Sequence, residues 1–425
     1  MTICGNLLHV IICRLLFNLF FDTLPFHISE YFSIFVHTKK RQTMKLKFML
    51  LAGTLCIGLA ACGGDDPIEP TPEKEEPNDT LPTPKPGEDP VEVKELAKGA
   101  DISWCTQMED KGQKFYGFAS REPKECTAVM QELGCNAIRL RVLVNPADGY
   151  CGKEDVLKKA IRVRDLGMDL MIDFYYSDTF DLPYSATLSN PSSQAIPAEW
   201  AEHDYNQLRA DVYNHTMEVL KLLKENDINV KWVQIGNETS NGLLYPIGQA
   251  DDNHYPTHYR GFIEMGASAA RAVYPDVLIV VHLPNAYDQS LYKWNLRLLN
   301  SHSYDIVGMS LYPNAAKGQT YFTGDTNTSI SIQSETQAIQ DAFSNMDYVY
   351  KVFEKPCMIV ECGLQVHYEI ASTNYMNDIM ARAKENVNCL GVFYWEPESY
   401  EGWQGYDKGA FLENGRPTQI LNSFE

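Results

Sequence analysis

Eight short apolar, β-branched runs constrain this chain more than any other feature. They lie at 100–104, 136–142, 169–177, 230–238, 277–283, 305–312, 356–363 and 389–396. Between most of them run amphipathic stretches with apolar residues three and four apart, as at 155–166 and 211–226. Strands that are apolar throughout and alternate with helices imply a parallel sheet covered on both faces. Eight such units in the 330 residues from 96 to 425 predict a closed (β/α)8 barrel rather than an open sheet. A doubly wound sheet would want a Gly-rich phosphate turn after an early strand, and none is present. The chain's 425 residues would also allow two domains. The eight-run pattern selects one large α/β barrel, a single catalytic domain with appendages.

A barrel carries its chemistry at the C-terminal ends of its strands. Those ends read Trp104, Arg139 and Arg141, Asp178, Asn237-Glu238, His282, Tyr312, Glu361, and Trp395-Glu396. Gln234-Ile235-Gly236-Asn237-Glu238 closes the fourth run, and Met358-Ile359-Val360-Glu361 the seventh. A carboxylate straight after Ile-Val in a buried strand is costly unless it is used or paired. Two carboxylates facing one barrel mouth are the equipment of glycoside hydrolysis, one as acid and one as nucleophile. A gap of ~5–5.5 Å between them would give retention of configuration. The competing reading makes each Glu merely the ion-pair partner of Arg139 or Arg141.

At these residues the chain resembles the large clan of retaining glycosidase barrels. In finer pattern it resembles glycoside hydrolase family 53, the endo-β-1,4-galactanases that cleave type I arabinogalactan. The segments that carry the likeness are Gly99-Ala100-Asp101-Ile102-Ser103, Arg139-Leu140-Arg141-Val142 and Asn145-Pro146-Ala147-Asp148-Gly149. They continue with Tyr176-Ser177-Asp178-Thr179, Ile235-Gly236-Asn237-Glu238 with Gly242-Leu243-Leu244, and Gly391-Val392-Phe393-Tyr394-Trp395-Glu396-Pro397. Together they cover about residues 98–415 in order. The resemblance implies Glu238 as general acid/base and Glu361 as nucleophile of a double displacement. It implies Asn237 on the sugar 2-hydroxyl and Arg139 holding Glu361 ionised, since a neighbouring cation lowers a carboxylate pKa. Asp178 and Trp395 would bind and platform the sugar, with His282 and Tyr312 completing the substrate-binding set. The chain departs from the family at Tyr175 (commonly His), Phe180 (commonly Trp) and Leu311 (commonly Tyr), and its 182–200 segment is long. All four departures touch the cleft walls and leave both catalytic Glu in place.

Two rival functions follow. One is the same machinery acting on another β-linked plant glycan. The other is a non-catalytic surface glycan-binding protein on a decayed barrel. The joint presence of Asn237, Glu238, Glu361, Arg139 and Trp395 argues against decay, because a binder needs no acid/nucleophile pair.

Residues before 96 read as a leader and a tether. From Met44 the chain runs Met-Lys-Leu-Lys, then an apolar stretch to Ala61, then Cys62: a secretory signal at 44–61. Leu59-Ala60-Ala61-Cys62 resembles the bacterial lipobox, with Cys62 the lipidated residue. Residues 1–43, upstream of a complete signal, read as a mis-assigned start. Residues 62–95 hold eight Pro and eleven acidic groups against three Lys, a net charge of −8, and predict a self-repelling extended spacer. Its first acidic residues resemble the surface-export signal of Bacteroidetes lipoproteins. The expected location is the cell envelope, lipid-anchored in the outer membrane and facing the surface, with no membrane contact beyond the anchor.

The whole chain carries −20, from 56 acidic against 36 basic residues, which opposes nucleic-acid binding. The expected partner is a neutral polysaccharide, and no sign of oligomerisation is present. No cofactor or metal is expected. His254 and His258 are interrupted by Pro256 without an HExxH frame, and Asp251-Asp252-Asn253 is a solvated turn rather than a calcium loop. Cys135, Cys357 and Cys389 read as buried small apolar groups, while Cys105, Cys126 and Cys151 could include one disulfide.

Overall fold

A computed structural model describes residues 95–180, 195–240, 242–250 and 256–425. The leader, Cys62, nearly all of the acidic spacer, most of the long 182–200 segment and the Asp251–His254 turn lie outside the described residues.

Eight parallel strands close into a barrel: β1 (Ala97–Asp101), β2 (Ala137–Val142), β3 (Asp169–Phe174), β4 (Trp232–Ile235), β5 (Leu278–Leu283), β6 (Ile306–Leu311), β7 (Cys357–Cys362) and β8 (Cys389–Trp395). Each pairs with its neighbours in sequence, and β8 closes onto β1 with Trp395 beside Asp101. Helices run between the strands, among them Lys153–Asp165, Tyr205–Glu225, Pro256–Val273, Gln289–Leu298, Glu335–Phe353 and Glu369–Glu385. This is a (β/α)8 barrel, as the alternation of runs predicts.

The period of two along each strand sorts the core into two shells. Ile138, Leu140, Val142, Ile172, Phe174, Val233, Ile235, Ile279 and Val281 belong to the large cluster under the helices. Residues of the other phase, including Ala97, Ala137, Met171, Trp232, Val280, Ile306, Met358 and Phe393, form a separate cluster inside the barrel. Gly99 belongs there because a Cβ would sit 2.1 Å from the Phe393 ring. Further along the same inward phase come Asp101, Arg139, Arg141, Asp173, Gln234, His282 and Ser310, all buried. The interior is therefore apolar at its base and polar at its C-terminal mouth. That gradient positions the site.

The strands are trimmed at several ends relative to the runs, the third ending at Phe174 and the fourth spanning Trp232–Ile235, and two boundaries lie outside the pattern. β1 begins at Ala97 rather than 100, because Lys98 and Gly99 interrupt the apolar run without interrupting the ladder. Helix Tyr205–Glu225 starts six residues before the periodic stretch at 211. Asp204 caps it, accepting from the N–H groups of Asn206 and Gln207 while the Gln207 side chain accepts from the Asp204 N–H. A small antiparallel hairpin, Thr320–Phe322 with Ser329–Ser331, lies in the β6 connection and has no counterpart in the run pattern. The seven described cysteines are all buried and free, so the disulfide left open among Cys105, Cys126 and Cys151 does not form. Among the described residues no helix is long and apolar enough to cross a membrane.

Candidate active site

Arg139 organises the mouth of the barrel. Its Nε donates to Gln234 Oε1 (3.2 Å) and its Nη1 to Asp101 Oδ2 (2.6 Å). Its Nη2 reaches Asp173 Oδ2 (2.7 Å), Asn237 Oδ1 (2.9 Å) and Glu361 Oε1 (3.0 Å). The guanidinium is fully buried, so this fork ties β1, β2, β3, β4 and β7 together at one point. Burial works against its charge, yet Asp173, Glu361 and Asp101 hold its pKa above the ordinary value.

Glu361 owes its aim to a bulge. Between β6 and β7 the register passes from Met309 opposite Ile359 to Ser310 opposite Glu361, leaving Val360 as an extra residue. A bulge of this kind re-aims a side chain beside an active site. Glu361 thus faces the mouth, with Oε1 on Arg139 and Oε2 accepting from the Tyr312 hydroxyl (3.1 Å). Glu238 is presented differently. β4 ends at Ile235, Gly236 turns at φ 78°, and Glu238 itself sits at φ 48°, a strained conformation for a residue with a Cβ. Its Oε1 lies 2.6 Å from Ser310 Oγ, and the residue is half-buried. A carboxylate oxygen of Glu238 lies within 4.8 Å of one of Glu361.

The reading in which both Glu are ion-pair partners fails for one of them. Glu361 does pair with Arg139, but the partner of Arg141 is Glu396, which also accepts from the Trp104 N–H (3.0 Å). Glu238 forms an ion pair with neither arginine.

Charge is unbalanced here: Asp101, Asp173 and Glu361 converge on one guanidinium, and Glu238 adds a fourth carboxyl to the same mouth. Burial raises Glu361 to about 8, against the pull of Arg139 and with further upward pushes from Glu238 and Asp173. Burial likewise raises Asp173 to about 7, Arg139 opposing, and raises Glu238. Arg139 pulls the Glu361 pKa down, as a neighbouring cation does, and desolvation is the larger, opposing effect. Hydrogen bonds distinguish the two carboxyls. Arg139 can only donate to Glu361, and Tyr312, whose pKa burial and Glu361 raise well above the usual range, keeps its hydroxyl hydrogen and donates it to Oε2. Such donors favour its charged form whenever the cluster gives up a proton.

A stability effect follows. A carboxyl with a raised folded pKa contributes stability fully below its unfolded value near 4.5, and loses it as pH rises through about 8. Glu361→Gln removes that loss. The variant is expected to melt roughly 2–4 °C above the native protein at pH 8.5, the gap closing towards pH 5, in thermal scans at both pH values.

His282 is fully buried and lowered well below its ordinary pKa by burial and by Arg139, so it is neutral. Its Nδ1 lies 2.9 Å from Asn237 Oδ1 and its Nε2 2.8 Å from Ser310 Oγ. Glu238, His282 and Glu361 bring ligand-type atoms within 4.8 Å of one another. Both ring nitrogens of His282 and both oxygens of Glu361 nevertheless have protein partners, and Arg139 supplies the positive charge.

The wall beyond Glu361 is aromatic. Trp395 stands edge-on to Trp104 (5.1 Å) and to Tyr406 (4.8 Å), and Phe180 covers the Arg141 guanidinium at 3.8 Å. Asp178 is occupied in holding loops: Oδ1 accepts from the Asn145 N–H (3.0 Å) and Oδ2 from the Ala198 N–H (2.8 Å). Away from the site, His258 stacks on Tyr205 at 3.9 Å. The structure therefore brings Arg139, Asn237, Glu238, His282, Tyr312 and Glu361 into one network, sets Trp395 in the adjoining wall and gives Asp178 a loop-holding role. Asp101, Asp173, Gln234 and Ser310 belong to the network too, although nothing at the strand ends pointed to them. The cost of a polar residue inside an apolar strand, which marks out Glu361, applies equally to Asp173 after Met-Ile and to Gln234 after Trp-Val.

The glycosyl hydrolase family 53 model matches residues 97–419. Arabinogalactan endo-β-1,4-galactanase A of Emericella nidulans is 30% identical over 324 residues, spanning 72% of this chain and 85% of that protein. The protein of the same name from Aspergillus niger is 30% identical over 325 residues, spanning 71% and 84%. Among solved structures, one from a study of two fungal β-1,4-galactanases aligns with a TM-score of 0.64 at 23% identity, over 78% of this chain and 99% of the other. A family 53 catalytic domain from Ignisphaera aggregans aligns with a TM-score of 0.64 at 24% identity, over 80% and 98%.

Proposed function

The chain belongs to glycosyl hydrolase family 53, and from that premise we propose that it is a retaining endo-β-1,4-galactanase acting on the galactan side chains of type I arabinogalactan. The observation that carries the mechanism is the close pair Glu238 and Glu361, with carboxylate oxygens within 4.8 Å and unlike hydrogen-bond partners. An inverting pair stands ~6.5–9.5 Å apart to admit a water, and a retaining pair ~5–5.5 Å. The substrate comes from the relatives, whose names give arabinogalactan endo-β-1,4-galactanase activity.

In this mechanism Glu361 attacks the anomeric carbon as Glu238 protonates the departing glycosidic oxygen. A bond to Glu361 forms, the glycosidic bond breaks, and the shortened chain leaves with its new hydroxyl. Glu238, now a carboxylate, takes a proton from water. That water attacks the same carbon and frees Glu361. Asn237, its oxygen pinned by Arg139, donates from its amide nitrogen to the sugar 2-hydroxyl, a bond that strengthens as the ring flattens. Tyr312 and Arg139 lower the cost of charge on Glu361 as it departs. Trp395, with Trp104 behind it, offers an apolar face for a sugar ring.

Incubation with potato galactan is expected to release short galacto-oligosaccharides, separable by chromatography and absent with Glu361→Gln. Cleavage of a different β-linked glycan alone would favour the rival that Tyr175, Phe180 and Leu311 motivate. Galactan binding without products would favour a decayed barrel. The envelope location rests on the sequence motif at Cys62. Mass spectrometry of the mature protein is expected to find Cys62 as its acylated first residue, and an unmodified N-terminus elsewhere would refute the anchor.

A further inference from the structure

One hydrogen-bond chain leads from the buried guanidinium to the acid. Arg139 Nη2 donates to Asn237 Oδ1, which lies 2.9 Å from His282 Nδ1; His282 Nε2 lies 2.8 Å from Ser310 Oγ, and Ser310 Oγ lies 2.6 Å from Glu238 Oε1. We propose that this chain runs in one direction, so that His282 is the Nδ1–H tautomer, Ser310 accepts from Glu238 rather than donating to it, and both are positioning residues that hold Glu238 as the proton-bearing acid.

The direction follows link by link. A guanidinium can only donate, so the Asn237 atom facing Arg139 must be its oxygen. That same oxygen faces His282 Nδ1, and two lone pairs at 2.9 Å would repel, so Nδ1 carries the hydrogen. Two other donors approach Nδ1. Gln234 Nε2 stands at 3.1 Å, but it has closer acceptors in Asp173 Oδ1 (2.7 Å) and Gly236 O (3.0 Å), which use both of its hydrogens. The Glu238 N–H is more distant, at 3.3 Å. The shorter contact to a pinned oxygen decides. A neutral imidazole with hydrogen on Nδ1 presents a lone pair at Nε2. Ser310, 2.8 Å away, then spends its one hydrogen on Nε2. Towards Glu238 Ser310 has only lone pairs left, and a 2.6 Å contact between lone pairs is relieved when Glu238 carries the proton.

The consequence for catalysis rests on the proposed acid role of Glu238. A hydroxyl that accepts from a carboxylic acid stabilises the acid; one that donates to a carboxylate stabilises the ion. The accepting direction reserves the proton for Glu238 rather than Glu361, which accepts from the Tyr312 hydroxyl and from Arg139, a group that can only donate. After the first step the Glu238 carboxylate faces an unaccommodating Ser310 and is a stronger base towards water. The charged and titratable groups around the chain are Arg139 from β2, Asp173 from β3, Glu361 from β7, and Tyr312 and Tyr292 beyond β6 and β5. Ser310→Ala leaves all of them in place.

Two measurements test the direction. In Ser310→Ala the basic limb of the kcat/KM–pH profile is expected to move down by about one pH unit, the worth of one hydrogen bond to the acid. Ser310→Thr is expected to restore it. A limb that stays or moves up would overturn the proposal, since loss of a donating serine would raise the Glu238 pKa. Independently of activity or variants, 15N NMR of the native protein is expected to show His282 Nδ1 as the hydrogen-bearing nitrogen and Nε2 as the bare one. The reverse pattern would overturn the proposal. Failure to cleave any galactan would count against the proposed function while leaving the tautomer measurement decisive for the chain.

Discussion

Glu361→Gln is expected to lower kcat on β-1,4-galactan by at least about 10⁴-fold, with KM changed far less. The amide keeps the shape of the carboxyl, so binding by the Trp395 wall survives. What disappears is the carboxylate that the bulge at Val360 turns into the barrel mouth, the nucleophile of the proposed mechanism. Glu238→Ala should behave differently. It removes proton delivery, typically ~10²–10⁴-fold, and only where the leaving group needs a proton. An aryl galactoside with an acidic phenol should therefore form its glycosyl–enzyme in Glu238→Ala at a near-native rate and then stall, because no base activates the water. Steady-state rates on galactan and a burst measurement on the activated substrate separate the two roles. Equal losses for both variants on both substrates would contradict the assignment.

Arg139→Met is expected to destabilise the protein by about 3–5 kcal/mol at pH 8, the range for breaking a buried charge pair from one side. Asp101, Asp173 and Glu361 would lose the cation that compensates them while remaining buried. The deficit should shrink as pH falls to 5, because Asp173 and Glu361, already raised to about 7 and 8 by burial, take up protons and need no cation. Urea unfolding at the two pH values measures the difference. A pH-independent deficit would mean that Arg139 acts through packing alone.

The polar mouth of the barrel was partly legible in the sequence. Glu361 after Met-Ile-Val, and Asn237-Glu238 at a strand end, stand out because charge inside an apolar run needs a reason. Arg139 and Arg141 do so by the same logic. Asp173 and Gln234 satisfy the same criterion but sit one turn of the pleat below the strand ends, where attention to termini does not reach. Ser310 is a small polar residue whose meaning depends on standing 2.6 Å from Glu238 and 2.8 Å from His282. Such a triple coincidence across three strands leaves no trace in spacing. The bulge at Val360 is equally silent, since it is an extra residue relative to a neighbouring strand, not a feature of its own. Asp178, which the resemblance sets on the sugar, also accepts from one loop N–H at each oxygen, and neither backbone partner is visible in the sequence. At the level of the fold, hydrophobic runs placed all eight strands, and the closed barrel follows from their number and burial.

In the proposed double displacement Glu238 is the acid/base and Glu361 the nucleophile. That double displacement is tested most directly by 1H NMR of the anomeric protons while galactan is being cleaved. The β-anomer of the new reducing end should appear first, with the α-anomer growing later by mutarotation. First appearance of the α-anomer would require a single displacement by water and would contradict the account.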